Sequence, residues 1–361
     1  MNRNPAVVPR SSLTRGEFLR LGAGLTGAAL LGAAGCGVRG AGQGGGGGGG
    51  GDEFTIRLSH VVTADDPKGK ASQKFKEVLE KSTEGRITVE IYPNSELYGD
   101  EDEIQAVQSG GVEMIAPASS KLTDIARQLL VLDLPFIVDD TSEVPDLISR
   151  DSTVGKGIYT NKDLADNNIK VMGLWDNGLY QITSNKAVRK PDDLRGQRIR
   201  ITPSDAIQAY WNKWGAKTTP MAFAEVFTAL QQGVVDGEFN TYSNIESQRF
   251  YEVQKYITIS DHGYLTYVLA MNNKFFNSLP DDLQQAVVEA VDEASAYNRE
   301  IADTVNQEAR KVIEEAGTSE IIELSSEDRQ AFKDAVVPSI WNQFADDIGQ
   351  DIIDELLARK S

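Results

Sequence analysis

Between residues 280 and 316 apolar side chains recur near the helical period, at Leu283, Val287, Val291, Ala294, Ile301, Val305 and Val312. No proline falls between Leu283 and Gly317, which closes the run. A helix of that length spans about 55 Å at 1.5 Å rise per residue. This is too long for one domain face, so the helix runs along two, and the rest of the chain must supply both bodies. Coiled-coil pairing of two copies is the rival reading, but the spacings drift from a strict heptad.

The chain before this helix alternates strands and helices. Phe54 to His60 alternates as a strand, and Lys70 to Ser82 carries Phe75, Val78 and Leu79 at helical spacing before Gly85. Ile87 to Tyr92 is a second strand, Asp100 to Gln108 a helix, and Val112 to Ala116 a short buried strand. The acidic start of that helix reads as a solvated first turn rather than a cation site. Val171 to Trp175 is a further strand, after which Asp176-Asn177-Gly178 reads as a turn. This order predicts parallel α/β architecture. The C-terminal segment, Glu327 to Arg359, reads as two amphipathic helices capping the body.

The stretch from Leu194 to Ile245 holds the strongest candidate for ligand contact. QRIRI alternates, placing Arg198 and Arg200 on one face and Ile199 and Ile201 on the other. Thr202-Pro203-Ser204-Asp205 follows as a helix start, with Thr202 as N-cap. Arg200 therefore sits at the carboxyl end of a strand, where open α/β sheets bind small ligands. Its guanidinium fork matches a carboxylate in two charge-assisted hydrogen bonds. A strand-end Arg can equally be a solvated or salt-bridged surface residue. Trp211 and Trp214 read as core residues on the following helix, and the loop after Val234-Val235-Asp236-Gly237 leads to Asn240.

Residues 1–35 hold four Arg against Glu17, so without them the formal charge moves from -18 to -21. So acidic a body excludes nucleic acid and other polyanions as partners. Basic residues followed by LGAGLTGAALLGAAG read as an export signal, too short for a comfortable membrane span. Cys36, the only cysteine, follows Ala33-Ala34-Gly35 in a segment that resembles a bacterial lipoprotein cleavage box. TRGEFLRL resembles a twin-arginine signal in which one Arg has become Gly16, so the export route stays open. Gly44 to Gly51 are eight consecutive glycines, a flexible tether. The expected order is signal peptide 1–35, lipid anchor and tether 36–52, then the folded body, at the periplasm or the outer face of the cytoplasmic membrane.

PDDLRGQRIRITP, TPMAFAEVFTALQQGVVDGEFN, RFYEVQKYITISDHGYL and GRITVEIYPNSELYGDEDEIQAVQSGGVEM occur in an order that resembles the solute-binding proteins of tripartite ATP-independent periplasmic (TRAP) transporters. The resemblance runs from about Phe54 to the C-terminus and is to the type that binds C4-dicarboxylates or sialic acid. It implies a two-domain periplasmic-binding-protein-like α/β fold, with hinge strands and a long helix spanning both domains. The implied domains are 53–177 with 264–304, and 178–263 with 305–361. It also implies a ligand between them, and delivery to membrane permease subunits. Arg200 matches the carboxylate-binding Arg of a KIRVP-like strand, Asn240 the Asn of a VDGQEN-like loop, and Phe223 an aromatic that packs on the ligand.

Three positions depart from the sialic-acid pattern: Tyr180 replaces a second Arg, Phe239 a Glu, and Ala118 another Glu. Tyr can donate one hydrogen bond and stack but cannot neutralise charge. The expectation is therefore a small organic acid with one strong anion contact, a monocarboxylate in preference to a sugar acid or a dianion. Trp175, Tyr180, Tyr242 and Phe239 are candidate walls, and His60 and Ser119 candidate polar contacts. His262 is expected to hold hinge geometry. No GxSxG, HExxH, CxxC pair or phosphate loop is present, and two histidines without spaced carboxylates do not make a metal site. A binding protein without cofactor or metal is expected rather than an enzyme, although paired carboxylates far apart in sequence could still serve glycoside hydrolysis.

Overall fold

The computed structural model describes residues 53–360. The expected signal peptide, Cys36 and glycine tether lie outside them. Among the described residues eleven strands form two sheets. They are β1 (Phe54–Ser59), β2 (Ile87–Tyr92), β3 (Met114–Ile115), β4 (Ile169–Leu179), β5 (Gln181–Ser184), β6 (Arg198–Ile201), β7 (Lys217–Pro220), β8 (Gly237–Asn240), β9 (Tyr256–Ile259), β10 (Tyr264–Asn272) and β11 (Glu320–Glu323). The first sheet has the order β2-β1-β3-β10-β4 and the second β11-β9-β5-β8-β6-β7. In the first, β2, β1 and β3 run parallel, and β10 lies antiparallel between β3 and β4. In the second, β8, β6 and β7 are parallel, while β5 runs against both β8 and β9.

Local sequence explains these elements. Ile87 and Val89 of β2 face the core while Thr88 and Glu90 face water, the period of a half-buried strand. The helix Pro67–Ser82 starts at a proline and buries Ala71, Phe75 and Leu79. The chain passes between the sheets twice in adjacent places, where β4 gives way to β5 and β9 to β10, and the Tyr180 amide donates to the Gly263 carbonyl (2.9 Å) to tie the crossings together. This is the two-domain fold with crossing strands.

The long helix runs from Asp281 to Ala316, 36 residues. Its first half buries Leu283, Val287, Val291 and Ala294 in the contact with β4 and the helix Pro67–Ser82. Its second half packs on the helix Tyr242–Ser247. At the junction the buried face turns polar, through Asn298 and Asn306.

Those two asparagines account for the segment expected to be a turn. Asp176-Asn177-Gly178 lies inside β4, and the register slips so that Leu265 faces Gly178 while Thr266 faces Asp176, leaving Asn177 as a bulge. Asn298 accepts from the Asp176 amide (2.5 Å) and donates to its carbonyl (3.1 Å); Asn306 donates to the Asn177 carbonyl (2.7 Å). Gly178 has φ +109°, and a Cβ there would meet Asn306 Nδ2 at 2.9 Å, so only glycine fits.

The C-terminal segment forms four short helices rather than two: Ser326–Val336, Ser339–Gln343, Ala345–Ile348 and Gln350–Arg359. Breaks at Pro338, Phe344 and Gly349 divide it. Among the described residues no helix is long and apolar enough to cross a membrane.

Candidate functional site

A cavity of about 40 Å³ lies between the sheets, at the carboxyl ends of β1, β6 and β8. Val61, Val62, Asp100, Ala118, Lys121, Leu265 and Tyr267 line it from the first sheet's side. Tyr180, Arg200, Thr202, Phe223, Phe239, Asn240 and Asn244 line it from the other side.

Arg198 and Arg200 point the same way from β6 yet have different fates. Arg198 is exposed and paired with Asp236 (2.7 Å), whereas Arg200 is 3 % exposed in the cavity wall. The helix after β6 begins at Asp205 with Ser204 in the N-cap position, two residues beyond the expected Thr202, which frees Thr202 to line the cavity. Arg200 Nε and Nη2 both donate to the Met221 carbonyl (3.1 and 2.8 Å), which fixes the guanidinium plane; among the described residues Nη1 has no hydrogen-bond partner. Burial pulls its pKa down, opposed first by the charge of Glu238.

Glu238 is fully buried beneath this site. Its carboxylate accepts from Thr183 Oγ1 (3.1 Å) and Asn240 Nδ2 (3.2 Å), and burial raises its pKa to about 7 despite Arg200. Asn240 Oδ1 accepts from Asn244 Nδ2 (2.7 Å), which also donates to Tyr267 Oη (3.2 Å). Beyond that ring, Lys68 Nζ lies 3.6 Å from the Tyr267 centroid and donates to the Ala116 carbonyl (2.8 Å). A polar relay thus runs from Glu238 on one side to Lys68 on the other.

Tyr180 and Phe239 form an apolar wall, edge to face at 4.7 Å, backed by His262. Trp211 and Trp214 pack around the same histidine as core residues. Phe223 closes the rim, and its ring meets Phe250 edge to face.

Four expected contacts are placed elsewhere. Trp175 faces the long helix and donates to Ser295 Oγ (3.0 Å), because β4 is buried on both faces and alternation does not say which one meets the ligand. Tyr242 lines a separate cleft of about 450 Å³ beside Arg299 and Arg310. Ser119 is turned behind the cavity to donate to Asp133 (3.3 Å), leaving Ala118 at the surface. His60 is fully buried and kept neutral, its pKa lowered to about 3 by burial and then by Lys68, while its successors Val61 and Val62 reach the cavity.

The acidic start of the second helix is not a solvated turn. Asp100 lines the cavity, pairs with Lys121 Nζ (3.4 Å), and accepts from the Phe223 amide (2.7 Å) across the cleft. Glu103 is fully buried with neither carboxylate oxygen bonded. Lys121, with its side chain only 8 % exposed, gives the cavity a second cation that sequence reasoning missed. Among the described residues no group of His, Cys, Asp and Glu could hold a metal ion.

The family model for bacterial extracellular solute-binding protein, family 7, matches residues 58–347. The chain is 38 % identical over 303 residues to the C4-dicarboxylate-binding periplasmic protein DctP of Rhodobacter capsulatus, covering 84 % of this chain and 90 % of that protein. It is 36 % identical to the C4-dicarboxylate-binding protein DctB of Bacillus subtilis, covering 85 % and 86 %. Among solved structures it resembles a TRAP periplasmic solute binding protein from Shewanella oneidensis with bound succinate, with TM-score 0.81, 35 % identity, and coverage of 86 % and 100 %. One from Pseudomonas aeruginosa with bound L-malate gives TM-score 0.77 and 34 % identity, with coverage of 80 % and 99 %. With the matched segment spanning nearly all of the folded body, this chain belongs to the family 7 bacterial extracellular solute-binding proteins.

Proposed function

We propose that this protein captures a C4-dicarboxylate between its two domains and hands it to the membrane subunits of a TRAP importer. The observation that carries this reading is a pair of cations in one small cavity, the buried Arg200 on one side of the cleft and the nearly buried Lys121 on the other. A dianion can engage both, whereas the monocarboxylate expected from sequence rested on Arg200 as the only strong anion contact. The cavity is small, about 40 Å³ against about 10–15 Å³ for one water, which favours a small acid over a sugar acid. Related structures hold succinate and L-malate, and a more distant one holds galactonate.

The proposed contacts are Arg200 and Asn240 for one carboxylate, Lys121 for the other, and Phe223 and Tyr180 as walls. The domains 53–177 with 264–304, and 178–263 with 305–361, close about the crossings near Tyr180 and Gly263. A ligand drives closure only through contacts made better in the closed state. A lipid on Cys36 and the glycine run would tether the body at the outer face of the membrane and leave it free to meet the permease. Binding without turnover is the proposed role, in line with relatives described as binding proteins.

Calorimetric titration tests this. Succinate, L-malate and fumarate should bind, with lactate and galacturonate weaker by at least about tenfold, or about 1.4 kcal/mol. Tight binding of lactate or galacturonate with succinate silent contradicts the proposal.

A further inference from the structure

The cavity that holds two cations also holds a carboxylate of the protein's own. Asp100 pairs with Lys121 (3.4 Å) and accepts from the Phe223 amide (2.7 Å), so one side chain of the first side both neutralises the distal cation and bonds the opposite wall. Both charged side chains are nearly buried, 8 % exposed for Lys121 and 6 % for Asp100, so water does little to screen them. Among the described residues Arg200 has no such partner at Nη1, and Glu238, the buried acid behind it, bonds Thr183 and Asn240 instead. The two ends of the cavity therefore differ: Arg200 has a free donor, and Lys121 is already occupied.

We propose that Asp100 is a specificity-determining residue, an internal competitor that the distal group of the ligand must displace from Lys121 or share it with. This rests on the dicarboxylate reading and deepens it. A ligand's distal carboxylate meets an attractive ammonium and a repulsive carboxylate together, so the gain from its second charge is smaller than Lys121 alone would give. A neutral distal group feels little of either. Asp100 thereby sets how steeply affinity depends on ligand charge, while its bond to the Phe223 amide ties the first side to the opposite wall.

Asp100→Asn separates the two roles, since the amide oxygen can still accept from Phe223 while the charge is gone. The probes are succinate and its monoamide, succinamate, equal in length and different by one charge, titrated calorimetrically into the full folded protein. In D100N succinate should bind at least about tenfold tighter than in the native protein, while succinamate changes less than about threefold. In a Lys121→Met background, adding D100N should leave succinate affinity unchanged, because the cation it would release is absent. The ligand-free melting temperature of D100N reports separately on folding. Equal changes for both ligands, weaker succinate binding, or an effect that persists in Lys121→Met overturns the inference while leaving the dicarboxylate reading in place. A native protein that binds neither probe overturns both.

Discussion

Asn306 of the long helix holds the bulge at Asn177. Its Nδ2 donates to the Asn177 carbonyl at 2.7 Å, while its Oδ1 accepts from the Ser243 amide at 3.0 Å. One side chain thereby joins β4 of the first sheet to the helix that follows β8 of the second. The helix that most constrained the fold is thus a splint across the chain crossings and not only a packing surface.

Replacing Asn306 by Ala strands two buried backbone groups, each costing about 1–3 kcal/mol when left unpaired. The expected loss is about 2–6 kcal/mol of unfolding free energy by urea titration. A loss below about 0.5 kcal/mol would show that the bulge stands without the asparagine.

Stability should fall as pH rises from about 6.5 to 8. Burial raises the pKa of Glu103 to about 8 from 4.5, and those of Glu238 and Asp133 to about 7. The folded protein then keeps protons that the unfolded chain has released, so the contribution of the neutral acids is present at low pH and is lost through these values. His60 and His262, lowered to about 3, act oppositely only below their unfolded value of 6.5. Lys68, lowered to about 8, acts oppositely above that pH. Glu103→Gln, neutral at every pH, should flatten part of the fall in melting temperature between pH 6.5 and 8. A native melting temperature that rises across that window contradicts the assignment.

Lipid attachment makes a separate prediction. Cys36→Ser should move the protein from the membrane fraction to the soluble one, and mass spectrometry of the native protein should find an acylated N-terminal Cys36. A native chain that is unmodified and still begins upstream of Cys36 contradicts it.

What could be read in the sequence was whatever a local pattern settles. The long helix carries its own period over 36 residues, and Arg200 is placed by the end of a strand and the start of a helix. The β4 bulge was hidden because Asp, Asn and Gly are turn formers, and only the distant Asn298 and Asn306 keep them in a strand. Trp175 was placed in the cleft because a strand buried on both faces gives no sign of which face meets the ligand. Lys121 and Asp100 lie 21 positions apart in short irregular segments, and Asp100 finds Phe223 123 positions away, so no local pattern announces the second cation or its competitor. The monocarboxylate expectation failed to count a charge supplied by tertiary structure.

The central claim is that Arg200 anchors the ligand. Nε and Nη2 are spent on the Met221 carbonyl, so the ligand meets a guanidinium whose plane is already fixed. Lys at this position keeps the charge but loses both the fork and that support. Titrating succinate into Arg200→Lys should show affinity at least about tenfold below the native protein, with the ligand-free melting temperature within a few degrees of native. Native affinity for succinate in that variant would remove Arg200 from the site and contradict the account.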